Sequence, residues 1–208
     1  MLWLTADTHF GCKNLVSNSR KVFSSIEEHD AVVMDTLNRY VEPNDRLVII
    51  GDFCKEKPGR YRQHIRCKNI FYVLGNHDRE PKIRAVFGGN TWTQKMVKLS
   101  TGDRVLCAHH PQCFWDRSHY GVLHAYGHLH WNLEREAMMD LGLPGRRSHD
   151  VGVDVAYALF GEYRPISEPE FLGLLKDRPG HDIIRKEDRW EKRDYEQMDG
   201  GLQSDTAE

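Results

Sequence analysis

Short apolar runs recur along the first two-thirds of the chain, and each one stops at a polar block. Met1–Thr5, Leu47–Ile50, Ile70–Leu74, Val105–Cys107 and Val122–Tyr126 have the length of buried strands and are bounded by turn-forming residues. Between the first two, Ser25-Ile26-Glu27-Glu28 reads as a capping box that opens a helix towards Tyr40, with Val32, Val33, Leu37 and Tyr40 on its buried face. Pro43-Asn44-Asp45 then turns the chain into a strand over Arg46–Ile50. Helices are expected around Arg60–Cys67 and over Pro81–Phe87. Further on, Thr91–Leu99 and Arg104–Ala108 flank the turn Ser100-Thr101-Gly102-Asp103 as a hairpin. Val122–Tyr126 and Asp150–Val155 complete the strands. Strand and helix alternate over the first half and strands dominate the second, which gives an α/β class without internal repeats.

Composition narrows the setting. The 208 residues suit one folded domain, over 1–178, and an appendage over 179–208. The character changes near Lys176: Arg185–Glu196 is densely and alternately charged, and Asp199–Glu208 is polar. The tail therefore reads as partly helical or disordered, a solvated helix with a frayed end rather than a docking segment. Five cysteines, an odd number without paired spacing, argue against a disulfide framework and for a reducing compartment. No signal-type stretch opens the chain, and no run approaches the roughly 18 apolar residues that span a bilayer. A cytoplasmic protein with no membrane partner is the expectation. A net charge of -2 gives no general pull towards nucleic acid.

The chemistry lies in the polar blocks: Asp7-Thr8-His9, Gly51-Asp52, Gly75-Asn76-His77-Asp78, Ala108-His109-His110-Pro111 and Gly127-His128-Leu129-His130. Loops at strand ends are where α/β proteins carry function, because the sheet gathers distant side chains on one edge. Taken singly, Asp-x-His and Gly-Asp are ordinary turn chemistry. Gly75–Asp78 goes further, since a turn needs its Gly and Asn but not the His-Asp pair. His128 and His130, at i and i+2 on extended chain, point the same way. Carboxylates, an amide and imidazoles collected on one edge make a site for two cations and point to metal-dependent phosphoester hydrolysis.

With these residues in this order, the chain resembles the calcineurin-like metallophosphoesterase superfamily from Met1 to roughly Ser167, and its compact bacterial or phage-type members most of all. The resemblance implies a metallophosphoesterase domain over 1–178, with two packed β-sheets flanked by helices in a four-layer αββα fold. It implies that Asp7, His9, Asp52 and His130 hold one divalent ion and that Asp52, Asn76, His109 and His128 hold a second, the Asp52 carboxylate bridging. His77 becomes the non-ligand imidazole beside the scissile phosphate. His149–Asp154 and Tyr163–Ser167 resemble the closing strand of that subgroup. There are departures. His110 stands where the family commonly has Tyr, which favours His109 as the ligand but leaves two neighbouring imidazoles in play. Lys55 occupies the place of the metal-binding Tyr of purple acid phosphatases, which disfavours that branch. Tyr126 replaces a frequent His.

The expected chemistry is hydrolysis of phosphodiesters or nucleotides by a metal-bridging hydroxide, with His77 assisting the leaving oxygen and Asp78 orienting it. Manganese heads the compatible ions, with Fe, Ni, Zn, Co and Mg behind it, because a mixed nitrogen and oxygen set without thiolate selects weakly. Phe114, Trp115, Tyr120 and Trp131 adjoin the His-rich blocks and would offer a stacking platform for a nucleobase, although core packing explains such aromatics equally well. Arg146 and Arg147 would contact phosphates if their loop folds over the site. Arg60, Arg62, Arg66 and Lys68 read as a solvated helix face. The alternatives are a phosphomonoesterase and a non-catalytic nucleotide- or partner-binding scaffold.

Overall fold

A computed structural model describes residues 1–130 and 147–178. The chain begins with β1 (Leu2–Thr5), α1 (Lys13–Asn18), α2 (Ile26–Tyr40), β2 (Arg46–Ile50), α3 (Pro58–Arg62), β3 (Asn69–Val73) and α4 (Glu80–Phe87). It continues with β4 (Thr91–Trp92), β5 (Gln94–Lys98), β6 (Arg104–Ala108), β7 (Leu123–Tyr126), β8 (Ser148–Asp150), α5 (Val153–Phe160), β9 (Ile166–Ser167) and α6 (Glu168–Leu175).

Two mixed sheets flanked by helices result. The first runs β4-β3-β2-β1-β9, with β1 to β4 parallel and β9 antiparallel; the second runs β5-β6-β7-β8, with only β5 antiparallel. Alternation along the strands divides the core. Leu2, Leu4, Val48, Ile50 and Val73 face the second sheet and its Val105, Cys107, Leu123 and Ala125. The intervening Leu47, Ile49, Ile70 and Tyr72 pack on Val33 and Leu37 of α2 and Ile83 and Phe87 of α4. Each such fully buried aliphatic side chain contributes about 1.5–3 kcal/mol. The bridge between Ala6 and Gly152, with Val153 N donating to Ala6 O at 3.1 Å, ties the end of β1 to the end of β8. Both sheets thus present the carboxyl ends of their parallel strands on one shared edge.

Several expected boundaries move. Ser25 caps α2 and accepts from Glu28 N, but the Glu28 carboxylate reaches Ser24 N and Oγ, so the reciprocal bond closes one residue early. The helix expected over 60–67 is α3, which starts at Pro58 and ends at Arg62. Proline at the start of a helix is favoured, which explains the earlier onset. The long strand expected over 91–99 splits: β4 joins the first sheet beside β3, while β5 makes the hairpin with β6. The strand expected over 150–155 stops at Asp150, because Gly152 caps α5. On the outer face of the second sheet, Trp115 covers Leu106 and Val122.

Candidate metal centre

The chain leaves its strands abruptly at the shared edge. Asp7 (φ 57°), His9 (48°), Asp52 (51°), His128 (75°) and His130 (48°) all take left-handed backbone. Each non-glycine residue there costs about 1–3 kcal/mol and persists only where its surroundings over-determine it. They do so here: Asp7 N donates to Gly51 O at 3.2 Å, His9 N to Asp52 O at 2.9 Å, Gly127 N to His109 O at 3.0 Å and His128 N to Asp7 Oδ2 at 2.8 Å. Two glycines leave room for the carboxylates. A side chain at Gly75 would collide with Asp52, and a Cβ at Gly127 would stand 2.6 Å from Asp7 Oδ2.

The polar atoms of the five blocks converge in two overlapping groups. In the first, His9 Nε2 lies 3.2 Å from His130 Nε2 and 3.5 Å from Asp52 Oδ2, and His130 Nε2 lies 3.9 Å from Asp7 Oδ1. In the second, His109 Nε2 is 3.5 Å from Asp52 Oδ2 and 2.9 Å from Asn76 Oδ1, which is 3.0 Å from His128 Nδ1. One oxygen of Asp52 is therefore equally close to both groups. Asp7 Oδ1 is buried and has no hydrogen-bond partner among the described residues. A buried, unpartnered carboxylate oxygen is costly, and facing imidazole nitrogens it is the arrangement a cation relieves. The triplets Asp7, His9, His130 and Asp7, Asp52, His109 are each compact enough to hold an ion.

Charge distribution agrees. Burial lifts the Asp7 carboxyl to about 6 against the pull of the His130 and His109 imidazoles. Burial would raise Asp52 too, but the hydrogen bond and charge of His109 hold it at about 2. Burial would lower His109, yet Asp52 and Asp7 raise it to about 9. Burial, with His130 adding to it, drives His9 down to about 3. An imidazole binds a metal only when deprotonated, so a cation held here would compete with a proton for His109.

Further partners aim the rings. His109 Nδ1 meets Ile50 O at 2.9 Å, which leaves Nε2 facing the site. His130 Nδ1 meets Asp154 Oδ2 at 2.7 Å with the same effect. Asp154 is gripped by the fully buried Arg20, whose Nε and Nη2 donate to its two oxygens at 2.8 and 2.7 Å. Arg20 also donates to Thr8 O at 3.1 Å and Asp7 O at 2.6 Å, and its Nη1 lies 2.7 Å from His29 Nε2. One guanidinium thus fastens the first candidate ligand loop to the residue that orients His130. Asp150, buried and pushed up to about 8 by burial and the Asp7 charge, accepts from Gly152 N through Oδ1 while Oδ2 has no partner among the described residues.

The structure brings together Asp7, His9, Asp52, Asn76, His109, His128 and His130. Of the two neighbouring imidazoles, His109 is buried in the group, whereas His110 is exposed with its ring 4.5 Å from that of His128. His77 is exposed beside His9, ring centroids 5.7 Å apart, and its N donates to Asp52 Oδ1. Asp78 departs from its expected part. Its carboxylate turns inward to accept from Asp52 N, Phe53 N, Gly75 N and Tyr72 Oη, so it locks two candidate ligand loops together and does not orient the His77 ring. Trp115 is also reassigned: it is buried against Leu106 and Val122 and donates to Val122 O, a core side chain and not a stacking surface. Arg147 stands beside Gly121 at the opening end of β7, the strand end away from the ligands. Trp131 and Arg146 lie outside the described residues. Arg20, Asp154, His29 and Asp150 were missed. Asp154 sits in the first turn of α5, where an acid suits any helix and so marks no site, and Arg20 had no local signal.

Residues 1–167 match the family profile described as calcineurin-like phosphoesterase. An uncharacterized protein of Methanocaldococcus jannaschii is 26% identical over 180 residues, covering 84% of this chain and 91% of that protein. The gene 66 protein of Mycobacterium phage L5 is 30% identical over 90 residues, 36% of this chain and 39% of its own length. A solved structure of a protein of unknown function from Aquifex aeolicus shares the fold, with a TM-score of 0.64 and 22% identity over 84% of this chain and 98% of that one.

Proposed function

The chain belongs to the calcineurin-like phosphoesterase family, and on that premise we propose that it is a dinuclear, metal-dependent phosphodiesterase acting on nucleotides or related diesters. One observation carries the reading: Asp7, whose Oδ1 is buried without a hydrogen-bond partner among the described residues, groups with His9, Asp52, His109 and His130 from four strand ends. Asp7, His9, Asp52 and His130 would hold one divalent ion and Asp52, Asn76, His109 and His128 the other. When bound, such ions supply Lewis acidity towards phosphate and acidify a water.

The chain's own groups do the rest. Ile50 O and Asp154 keep Nε2 of His109 and of His130 pointed inward. Asp78 fixes the spacing of the loops that carry Asp52 and Asn76. His77, exposed at the mouth, protonates the leaving oxygen or stabilises its charge. Asn76 and His77 are both exposed, so the site is open to a substrate from solvent. Manganese is the ion we put first, although this nitrogen and oxygen set selects weakly and would also take Fe, Ni, Zn, Co or Mg. Among the described residues no helix is long and apolar enough to cross a membrane. Cys54, Cys67 and Cys107 are buried, and five cysteines without paired spacing suit a reducing cytoplasm.

The test is hydrolysis of bis-p-nitrophenyl phosphate and p-nitrophenyl phosphate by metal-stripped protein, with Mn²⁺, Ni²⁺, Zn²⁺ or Mg²⁺ restored. Metal-restored cleavage with the diester preferred is expected. Preference for the monoester would make the protein a phosphatase, and inactivity on both with two metals bound would favour a binding scaffold. His77→Ala should lower turnover by about 10²–10⁴ while metal content stays unchanged; a scaffold would lose nothing.

A further inference from the structure

A groove of about 590 Å³ separates α2 from the segment 55–64, and Gly11 and Lys55 on its wall follow the candidate ligands His9 and Asp52 in the chain. A parallel bridge joins two segments there: Phe10 N donates to Phe53 O at 2.9 Å and Lys55 N to Phe10 O at 3.0 Å. They carry the chain from His9 and Asp52 to Gly11 and Lys55 on the groove wall. Extended chain advances at most about 3.6 Å per residue, so Gly11 lies within about 7 Å of His9 and Lys55 within about 11 Å of Asp52.

The floor is rigid. Gly11 N donates to both oxygens of Asp30 at 3.1 Å, Tyr61 Oη donates to Oδ2 at 2.9 Å, and His29 Nδ1 lies 2.9 Å from Oδ1. Asp30 lines the groove with its carboxylate turned to these donors, and its charge counts against the cations of the walls. The walls carry Lys13, Lys55, Lys57 and Arg60, all exposed and in no ion pair among the described residues, against Glu27 and Glu56. Lys57 is held at φ 52°, a left-handed conformation it shares mainly with the candidate metal ligands. Strain of this kind gathers at ligand clamps. Like charges crowded in a concave wall concentrate an anionic ligand, and lysine serves phosphate as a point charge.

We propose that this groove holds a second phosphate of the substrate, carried next to the phosphoester that is cleaved. The inference rests on the phosphodiesterase reading and narrows the substrate to nucleotides or strands bearing at least two phosphates.

The test compares thymidine 5′-(p-nitrophenyl phosphate) with the same ester carrying a 3′-phosphate, using manganese-loaded protein. The added phosphate should raise kcat/KM about tenfold, and the gain should shrink with salt. In a Lys55→Gln, Lys57→Gln, Arg60→Gln variant the ratio between the two esters should fall to near one. Lys55→Gln alone should halve it or more, and serves if the triple variant does not fold. No gain in the wild-type protein, or an undiminished gain in the variants, overturns the proposal. Lengthening the 3′ side by further nucleotides tells the sources apart: a gain that keeps growing marks a strand, and one complete at the first phosphate marks a nucleotide. If neither ester is cleaved, calorimetry with thymidine 3′,5′-bisphosphate and thymidine 5′-monophosphate decides separately. Tighter bisphosphate binding that the variants lose upholds the groove while the phosphodiesterase reading falls, and equal binding overturns the groove as well.

Discussion

Asp154 illustrates how much one buried residue governs. Its two oxygens take the Arg20 guanidinium and the His130 ring, which transmits the position of α5 to a candidate ligand. Burial alone would raise this carboxyl, but Arg20 and His130 hold it well below the usual range, so it stays an anion. Asp154→Asn keeps the size and loses the charge that fixes the His130 tautomer. Metal affinity should fall about 10–100-fold, measured by competition with a chelator. An unchanged affinity in a folded variant would show that His130 needs no such support. Arg20 was invisible in sequence because nothing in Ser17–Phe23 marks a buried charge; its partners lie at Asp7, Thr8, His29 and Asp154, and only folding joins them.

Among the elements, α6 carries its own pH dependence. Ser167 and Glu170 form a full capping box, and Arg164 adds a bidentate pair at 2.7 and 3.1 Å. Burial would raise Glu170, yet these bonds bring it from 4.5 to about 2. A folded pKa below the unfolded one means stability that is complete above about 4.5 and lost as pH falls through about 2. The melting temperature of Glu170→Gln should therefore lie below wild type at neutral pH, and the gap should close across that acid window. A constant gap would mean that Glu170 acts through shape alone. The strand ends were readable because apolar runs stop where turns begin. The split of 91–99 between sheets was not, since alternation along a strand does not say which sheet it joins.

At the scale of the whole molecule, the candidate centre joins both sheets. Asp7 and Asp52 follow β1 and β2, whereas His109, His128 and His130 follow β6 and β7. Metals held there would cross-link the sandwich, so binding should stabilise the native state by about 2.7 kcal/mol at a hundred times Kd. Melting of metal-stripped protein with increasing Mn²⁺ should show a rising midpoint that Asp52→Asn abolishes. No shift with metal shown to be bound would mean that the unfolded chain binds it as well.

Sequence by itself determined the chemistry available at the edge. Short apolar strands must end in polar turns, and turns at parallel strand ends share one edge, so the order Asp-x-His, Gly-Asp, Gly-Asn-His-Asp, His and Gly-His-x-His already put these residue types together, and the resemblance to the family named the candidate ligand set. Tertiary structure decided what each neighbour does. It turned Asp78 inward to the backbone, buried Trp115 in the core, took Arg147 to the far strand end and put Lys55 on a groove wall. These outcomes depend on which distant donors and apolar faces a side chain meets, and residues far apart in the chain meet only once the two sheets have packed.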